Sequence, residues 1–360
     1  MIGWRPKSPD TRVASTRIRC LNPLRELQRR GFPVELFRPE HGSQYSAVVY
    51  SKLYDEASYR EAVDLQKSGT RIIVDLCDNH FYNPAGSPEL ARARVGLERM
   101  LRLADQLVAS TPELGAVMRA ELGIERSVAI IGDAVEDTIA GVPERALRRW
   151  LCRRELRRLL DWLEKGRKAG TEAAMVWFGI HGGPHHEHGM GDLLRIRPFI
   201  EQLHRRHAVQ LTVVSNSREK FARLITPWSV PTYYLEWSPL TFLPALRAHQ
   251  IALIPVTQNP FTRCKSNNRL ATALAAGLGV VADTIPSYEE FAQVCRLDSW
   301  EQGLWDYVTD PALRSRDVRA GQALVSRCYS PERIADGWQE LFTAVTAGAA
   351  KGLQLETSPD

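Results

Sequence analysis

Lys265-Ser-Asn-Asn-Arg-Leu-Ala-Thr-Ala-Leu-Ala-Ala-Gly-Leu-Gly-Val-Val-Ala282, preceded by the apolar run Ile251-Ala-Leu-Ile-Pro255, decides how this chain is read. The order is strand, polar loop, small-residue helix, glycine, strand. Leu270–Ala276 is a helix of Ala and Leu that can pack closely on a sheet, and Gly277 ends it as a C-terminal glycine does. The loop before it brings a lysine, a serine and two asparagines to the helix start. Unpaired backbone N–H groups and a partial positive charge collect there. Lys265 adds a full charge, which makes this end of the helix a seat for a phosphate group.

The same alternation extends in both directions. Val34–Phe37, Ala47–Tyr50, Arg71–Asp75, Gln106–Ala109 and Val128–Ile131 read as strands. Asn22–Arg30, Tyr59–Ser68, Glu89–Leu103 and Pro112–Leu122 read as the helices between them. In the second half the strands are Met175–Phe178, Val209–Val214, Ile251–Ile254 and Gly279–Ala282, with helices at Gly191–Arg206 and Leu240–Ala248. Two successive doubly wound parallel sheets follow, with ligand expected outside the carboxyl ends of the strands. Pro331–Ala347 makes a last helix.

The 360 residues suffice for two domains. Hydrophobic content of 44% and charged content of 25% are those of a globular protein. Lys+Arg 47 against Asp+Glu 42 gives +5, which suits a small anionic ligand or a membrane surface and is no nucleic-acid signature. Met1–Asp10 has no apolar signal core, and no run has the length of a membrane span. Six scattered cysteines without a Cys-x-x-Cys pair fit a reduced, cytoplasmic protein.

Several segments, taken in order, resemble the retaining glycosyltransferases of the GT-B fold, family 4 type. Ser15-Thr-Arg-Ile-Arg19 with Pro23, Leu24 and Gly31-Phe-Pro-Val34 is similar to that family's opening strand–loop–helix–strand. Ala104–Ser110 with Ile130–Glu136 resembles the end of its first domain, and Val176-Trp-Phe-Gly179 the start of its second. Glu236-Trp237 and Leu246–Pro255 then precede the lysine loop. The resemblance implies an α/β chain of two facing Rossmann-like domains, parallel sheets with helices on both faces. It implies an N-terminal acceptor-side domain at 1–140, a basic helical linker at 141–173, a nucleotide-sugar domain at 174–330, and a crossing helix and tail at 331–360. It also implies transfer of a sugar from a nucleoside diphosphate sugar to an acceptor such as a glycan, lipid or small molecule, with no cofactor. A departure stands beside it. The family's two glutamates, eight positions apart, are Cys264 and Thr272 here, and the second normally binds the donor ribose. A catalytically silent nucleotide-sugar-binding protein and a sugar-nucleotide epimerase of the same architecture are the alternatives.

The candidate donor-binding residues are Lys265, Arg263, Ser266 and Asn267 of the loop, Thr272 of the helix, and Glu289 after the Gly279–Ala282 strand. His181-Gly-Gly-Pro-His-His-Glu-His-Gly189 follows the first strand of the second domain. Gly182 and Gly183 let backbone approach a diphosphate, and His181 can donate to it. The alternative, zinc on His185, His186, Glu187 and His188, lacks the spacing that aims ligands at one ion, so no metal is expected. Arg17 and Arg19 are candidates for neutralising phosphate or orienting an acceptor. Asp75-Leu-Cys-Asp-Asn-His80 runs off a buried strand, which makes Asp78 and His80 the candidates for catalysis. Over 143–168, Arg145, Arg148, Arg149, Arg153, Arg154, Arg157 and Arg158 interleave with leucines and with Trp150. This amphipathic helix either packs its leucines on a domain or lies on an anionic membrane, which would put the protein at the inner membrane face.

Overall fold

The computed structural model describes residues 1–136, 146–182 and 189–348. In chain order the elements are β1 (Ile2–Pro6), a π-helical turn (Thr16–Leu21) running into α1 (Asn22–Arg29), β2 (Val34–Leu36), β3 (Ala47–Ser51), α2 (Glu56–Lys67), β4 (Arg71–Leu76), α3 (Pro88–Leu103), β5 (Gln106–Ala109), α4 (Pro112–Leu122) and β6 (Val128–Ile130). There follow α5 (Ala146–Lys168), β7 (Ala173–Phe178), α6 (Leu193–His204), β8 (Val209–Ser215), α7 (Arg218–Leu224), β9 (Thr232–Glu236), α8 (Phe242–Arg247), β10 (Ile251–Ile254), α9 (Asn268–Ala275), β11 (Gly279–Ala282), β12 (Arg296–Leu297), α10 (Trp300–Thr309), α11 (Pro311–Tyr329) and α12 (Pro331–Thr346).

Local chemistry sets many of these boundaries. Ser87-Pro-Glu, Thr111-Pro-Glu and Ser330-Pro-Glu open α3, α4 and α12. In each, the hydroxyl accepts the N–H three residues on: Leu90, Leu114 and Arg333. Proline follows where no intrahelical N–H is needed, and the glutamate answers the positive end of the helix. Gly123, with φ +60°, closes α4 in a left-handed turn.

The chain forms two compact units. The first holds Met1–Val135, Asn259–Asn268 and the chain from Arg327; the second holds Glu136–Gln258 and Arg269–Ser326. The Asn259–Asn268 segment, which the sequence assigns to 174–330, thus groups with the first unit.

Each unit has one parallel six-stranded sheet, in the orders β2-β1-β3-β4-β5-β6 and β12-β11-β10-β7-β8-β9. Winding therefore reverses between β1 and β3 in the first unit and between β7 and β10 in the second, the places where an α/β sheet opens a crevice. Strands β3, β5, β7, β8, β10 and β11 are buried along their whole length, as parallel strands covered on both faces are. In the first unit Trp4 packs on Trp338 and Phe342, with ring centroids 4.6 and 5.7 Å apart, so α12 closes one face of the sheet.

The structure differs from the sequence reading at several elements. The first strand is Ile2–Pro6, and Ser15–Arg19 lies in a helical turn rather than a loop. Strands β9 and β12 and helices α7, α10 and α11 are additions. Among the described residues, no helix is long and apolar enough to cross a membrane.

Candidate functional site

In the first unit the polar residues gather at the carboxyl ends of β1, β3 and β4. A continuous network runs from Trp4 Nε1 to Ser51 Oγ (3.0 Å), from Ser51 Oγ to Asp75 (3.0 Å), and from Asp75 to Arg19. Arg19 also donates to the carbonyls of Ile131 (2.5 Å) and Gly132 (2.9 Å) and meets Asp133 at 3.2 Å. Burial works against the Arg19 charge, but Asp75 and Asp133 more than offset it and raise its pKa. Arg19 is 2% exposed and spends its guanidinium on the protein itself. Arg17, also buried, donates to the carbonyls of Thr11 (2.9 Å) and Arg12 (3.0 Å). The helical turn points both arginines inward, where a loop would have left them facing a ligand.

Lys52 follows β3 with φ +56°, a left-handed backbone that a side chain rarely adopts. Its N–H donates to the Asp75 carbonyl (3.0 Å) and its ammonium reaches Asp78. Lys265 pairs with the other Asp78 oxygen and lies 4.3 Å from the Phe261 ring centre. Burial alone would raise the Asp78 pKa. The two ammonium groups overturn this and hold the carboxyl well below the usual range. His80 Nε2 is 3.9 Å from Asp78, and His80 Nδ1 is 2.9 Å from the Tyr54 hydroxyl. Burial first, then Lys52, push His80 down to about 4, so the ring is neutral at pH 7.

The Asn259–Asn268 segment is fastened to this unit along its length. Asn79 donates to the Pro260 carbonyl (3.0 Å), Thr111 to the Cys264 carbonyl (3.2 Å), and Ser266 to Asp133 (2.5 Å). Cys264, at the first glutamate position, is a core residue of the first unit, its thiol pushed up to about 11 by burial. Asn267 is buried and Arg263 exposed.

In the second unit the crevice lies at the ends of β7 and β10. His181 accepts no role in a metal cluster among the described residues. Its N–H and Nδ1 both lie 2.9 Å from Asn216 Oδ1, and its carbonyl accepts from Lys220 (2.6 Å). A Cβ on Gly189, where φ is +106°, would stand 2.6 Å from the Gly182 nitrogen. Only glycine lets these two backbones meet. Asp192 accepts from the Gly189 N–H (2.9 Å) and from Thr257 (2.5 Å), which ties the loop after β7 to the loop after β10. Gly183, His185, His186, Glu187 and His188 lie outside the described residues, as does Arg145 of the basic helix.

Helix α9 opens against this loop. The Arg269 guanidinium lies 5.4 Å from the Trp177 ring centre and 5.6 Å from that of Phe178, and it also borders Gly179. Among the described residues its Nε and Nη2 are buried without a hydrogen-bond partner, as are Asn268 Nδ2, Trp177 Nε1 and Thr272 Oγ1. Burial lowers the Arg269 pKa, with little relief from Tyr288 and Asp192. A buried cation without an anion costs several kcal/mol. The arrangement therefore presents a guanidinium in the first turn of a helix to an anion with several acceptor oxygens. Glu289 is exposed on the turn after β11.

Sequence reasoning had singled out Lys265, Asp78 and His80, which the fold brings together. It missed Lys52, Tyr54 and, in the second unit, Trp177 and the weight that Arg269 carries. Only the helix start at Asn268 signalled Arg269 in the sequence.

No protein-family model matches the chain, and no curated protein does. Solved structures match its fold. A glycosyltransferase from Rickettsia africae superposes with a TM-score of 0.61 at 11% identity, over 96% of this chain and 98% of that one. A putative UDP-N-acetylglucosamine 2-epimerase from Listeria monocytogenes does so at 0.57 and 9% identity, over 99% of each chain. A variant of S. aureus TarM, in complex with fondaparinux, α-GlcNAc-glycerol and UDP, gives 0.56 at 11% identity. That match covers 82% of this chain and 55% of TarM, so the chain spans about half of TarM's length. The fold is GT-B.

Proposed function

We propose that the protein transfers a glycosyl group from a nucleoside diphosphate sugar, holding the diphosphate at the start of α9. One observation carries this reading: beside Trp177, at the carboxyl end of β7, the Arg269 guanidinium has its Nε and Nη2 buried without a hydrogen-bond partner among the described residues. As the sugar–oxygen bond breaks, negative charge grows on the departing diphosphate. Arg269 and the helix N–H groups are donors already in place for that charge. The TarM complex with UDP supports the nucleotide half of this reading. Thr272, where a ribose-binding glutamate would stand, offers a hydroxyl in place of a carboxylate. The scheme uses no metal ion, and donor binding is expected to survive exhaustive chelation.

Calorimetry with UDP tests the assignment. Arg269→Gln should weaken binding by about 30-fold, or about 2 kcal/mol. An unchanged affinity in a folded variant removes Arg269 from the site. A second reading, epimerisation of the nucleotide sugar, draws on the full-length likeness to the Listeria protein. Incubation with UDP-N-acetylglucosamine and no acceptor separates them: an epimer at C2 supports this second reading, and UDP release alone supports transfer.

We also assign a peripheral membrane contact to the outer face of α5. Leu147, Trp150 and Leu151 are 69%, 50% and 45% exposed within one and a half turns, and Arg154 stacks on Trp150 at 5.5 Å. Apolar side chains ringed by arginines suit an anionic lipid surface.

A further inference from the structure

The crevice of the first unit carries a charge pattern that the donor reading does not use. Where winding reverses between β1 and β3, a small pocket is lined by Lys7, Ser15, Ser51, Lys52, Arg19 and Asp75. Three of these are cations and one is a carboxylate. Arg19 is answered by two carboxylates, Asp75 and Asp133. Lys52 shares Asp78 with Lys265, so this carboxylate answers two ammonium groups. Lys7 adds a third, exposed at the mouth. His80, at the same edge, feels Lys52, Lys7 and Lys265, opposed by Asp78 alone. The Lys52 backbone is held left-handed at this point, and such departures cluster where a site needs them. Arg19, Lys52, Lys265 and Lys7 face Asp75, Asp133 and Asp78, so one positive charge is left over at the pocket mouth, on Lys7, where an anion would answer it.

We infer that this pocket binds a phosphate or carboxylate group on the acceptor, with Lys7 and Lys52 as its cations, so that the acceptor substrate is anionic. The inference deepens the transferase reading and rests on it for the word acceptor; the anion site itself stands on the lysines alone. Lys7 is the adjustable contact, since its ammonium is exposed. Lys52 is fixed, and the Ser15 hydroxyl is a further donor to the bound oxygens.

Phosphorus NMR of the full chain, titrated with inorganic phosphate at constant ionic strength and saturating UDP, tests this. UDP fills the helix-start seat, so the phosphate reports the other site. Wild-type protein should bind phosphate. Lys7→Gln should weaken it by about fivefold, the effect of one exposed ion pair, and leave UDP affinity unchanged. Lys52→Gln should weaken it further. Because Lys52 is built into the fold, Lys7→Gln, at an exposed position, decides the matter if Lys52→Gln is unfolded. No phosphate binding with UDP present, or an unchanged affinity in folded Lys7→Gln, overturns the inference. If UDP itself fails to bind, the donor reading falls separately. Phosphate binding that is lost in Lys7→Gln but kept in Arg269→Gln still supports the first-unit site. Displacement of phosphate by a hexose 6-phosphate marks a soluble acceptor. Displacement by phosphatidylglycerol vesicles, and not by phosphatidylcholine vesicles, marks a lipid headgroup. Either result supports an anionic acceptor.

Discussion

Asp78 is buried and Arg269 half-buried, and removing the two charges should affect stability differently. Asp78 faces two ammonium groups, so Asp78→Asn strands both and should cost about 3 kcal/mol in urea unfolding. Lys265→Ala should cost less, because Asp78 keeps Lys52 and the Lys265 side chain is 36% exposed. Among the described residues no carboxylate pairs with Arg269, so Arg269→Gln should leave stability equal or raised while UDP binding falls. Equal losses for Asp78→Asn and Arg269→Gln would show that Arg269 has a partner after all. Two histidines give a pH signature. His80 and His249 are held neutral by burial at about 4, against an ordinary 6.5. For His249, the Ala245 carbonyl accepts from Nδ1 and Thr212 serves Nε2, each at 2.7 Å. The unfolded chain takes up these protons below pH 6.5 and the folded chain does not. Stability should therefore fall as pH drops from about 6.5 to about 4, by about 3 kcal/mol for each ring. His249→Gln should flatten that slope, whatever it does at pH 7. At this scale the sequence was legible where a residue follows a strand or opens a helix, as Asp78, His80 and Lys265 do. Lys52 was not, because its role depends on a left-handed backbone that no neighbouring residue announces. Arg19 was misjudged because an arginine near a strand end reads as cleft-facing until the π turn is known to swing it inward.

At the scale of elements, α5 packs one face on the second unit and leaves the other exposed. Its inner face, through Cys152, Leu159 and Leu163, is buried, and Trp162 packs on Tyr233 of β9 with centroids 5.3 Å apart. Leu159→Ala should cost about 2–5 kcal/mol. Trp150→Ala, on the outer face, should barely change stability but should reduce binding to anionic vesicles. If vesicle binding is unaffected, the outer face is not a membrane contact. The regular elements were legible because fully buried strands make apolar runs and their helices carry strong caps. Gly279–Ala282 and Ile251–Ile254 were read to the residue. Other elements lacked such marks. β1 has a glycine and ends in Arg-Pro, and β12 is two residues long. α10 contains Gly303, tolerated because a Cβ there would stand 2.6 Å from Arg296 Cβ.

For the whole molecule, neither compact unit is a continuous stretch of chain. The first needs Met1–Val135, Asn259–Asn268 and the chain from Arg327. Residues 1–136 alone should therefore fail to fold cooperatively. They lack Trp338 and Phe342, which cover Trp4, and Cys264, which fills the same unit's core. Dye binding to exposed apolar surface and loss of near-ultraviolet dichroism should follow; a sharp two-state transition in this fragment would count against the assignment. The interleaving has a consequence during synthesis. A ribosome completes β6 long before α12 exists. At ~5–20 residues per second, roughly 10–40 s separate the two. Through that interval the face of β1 bearing Trp4 waits uncovered on the nascent chain, a sticky surface for a holding chaperone. The second unit, whose last residue is Ser326, is free to finish first. Protease pulses on chains stalled after Ser326 should find the second sheet already resistant and the N-terminal sheet still open to cleavage.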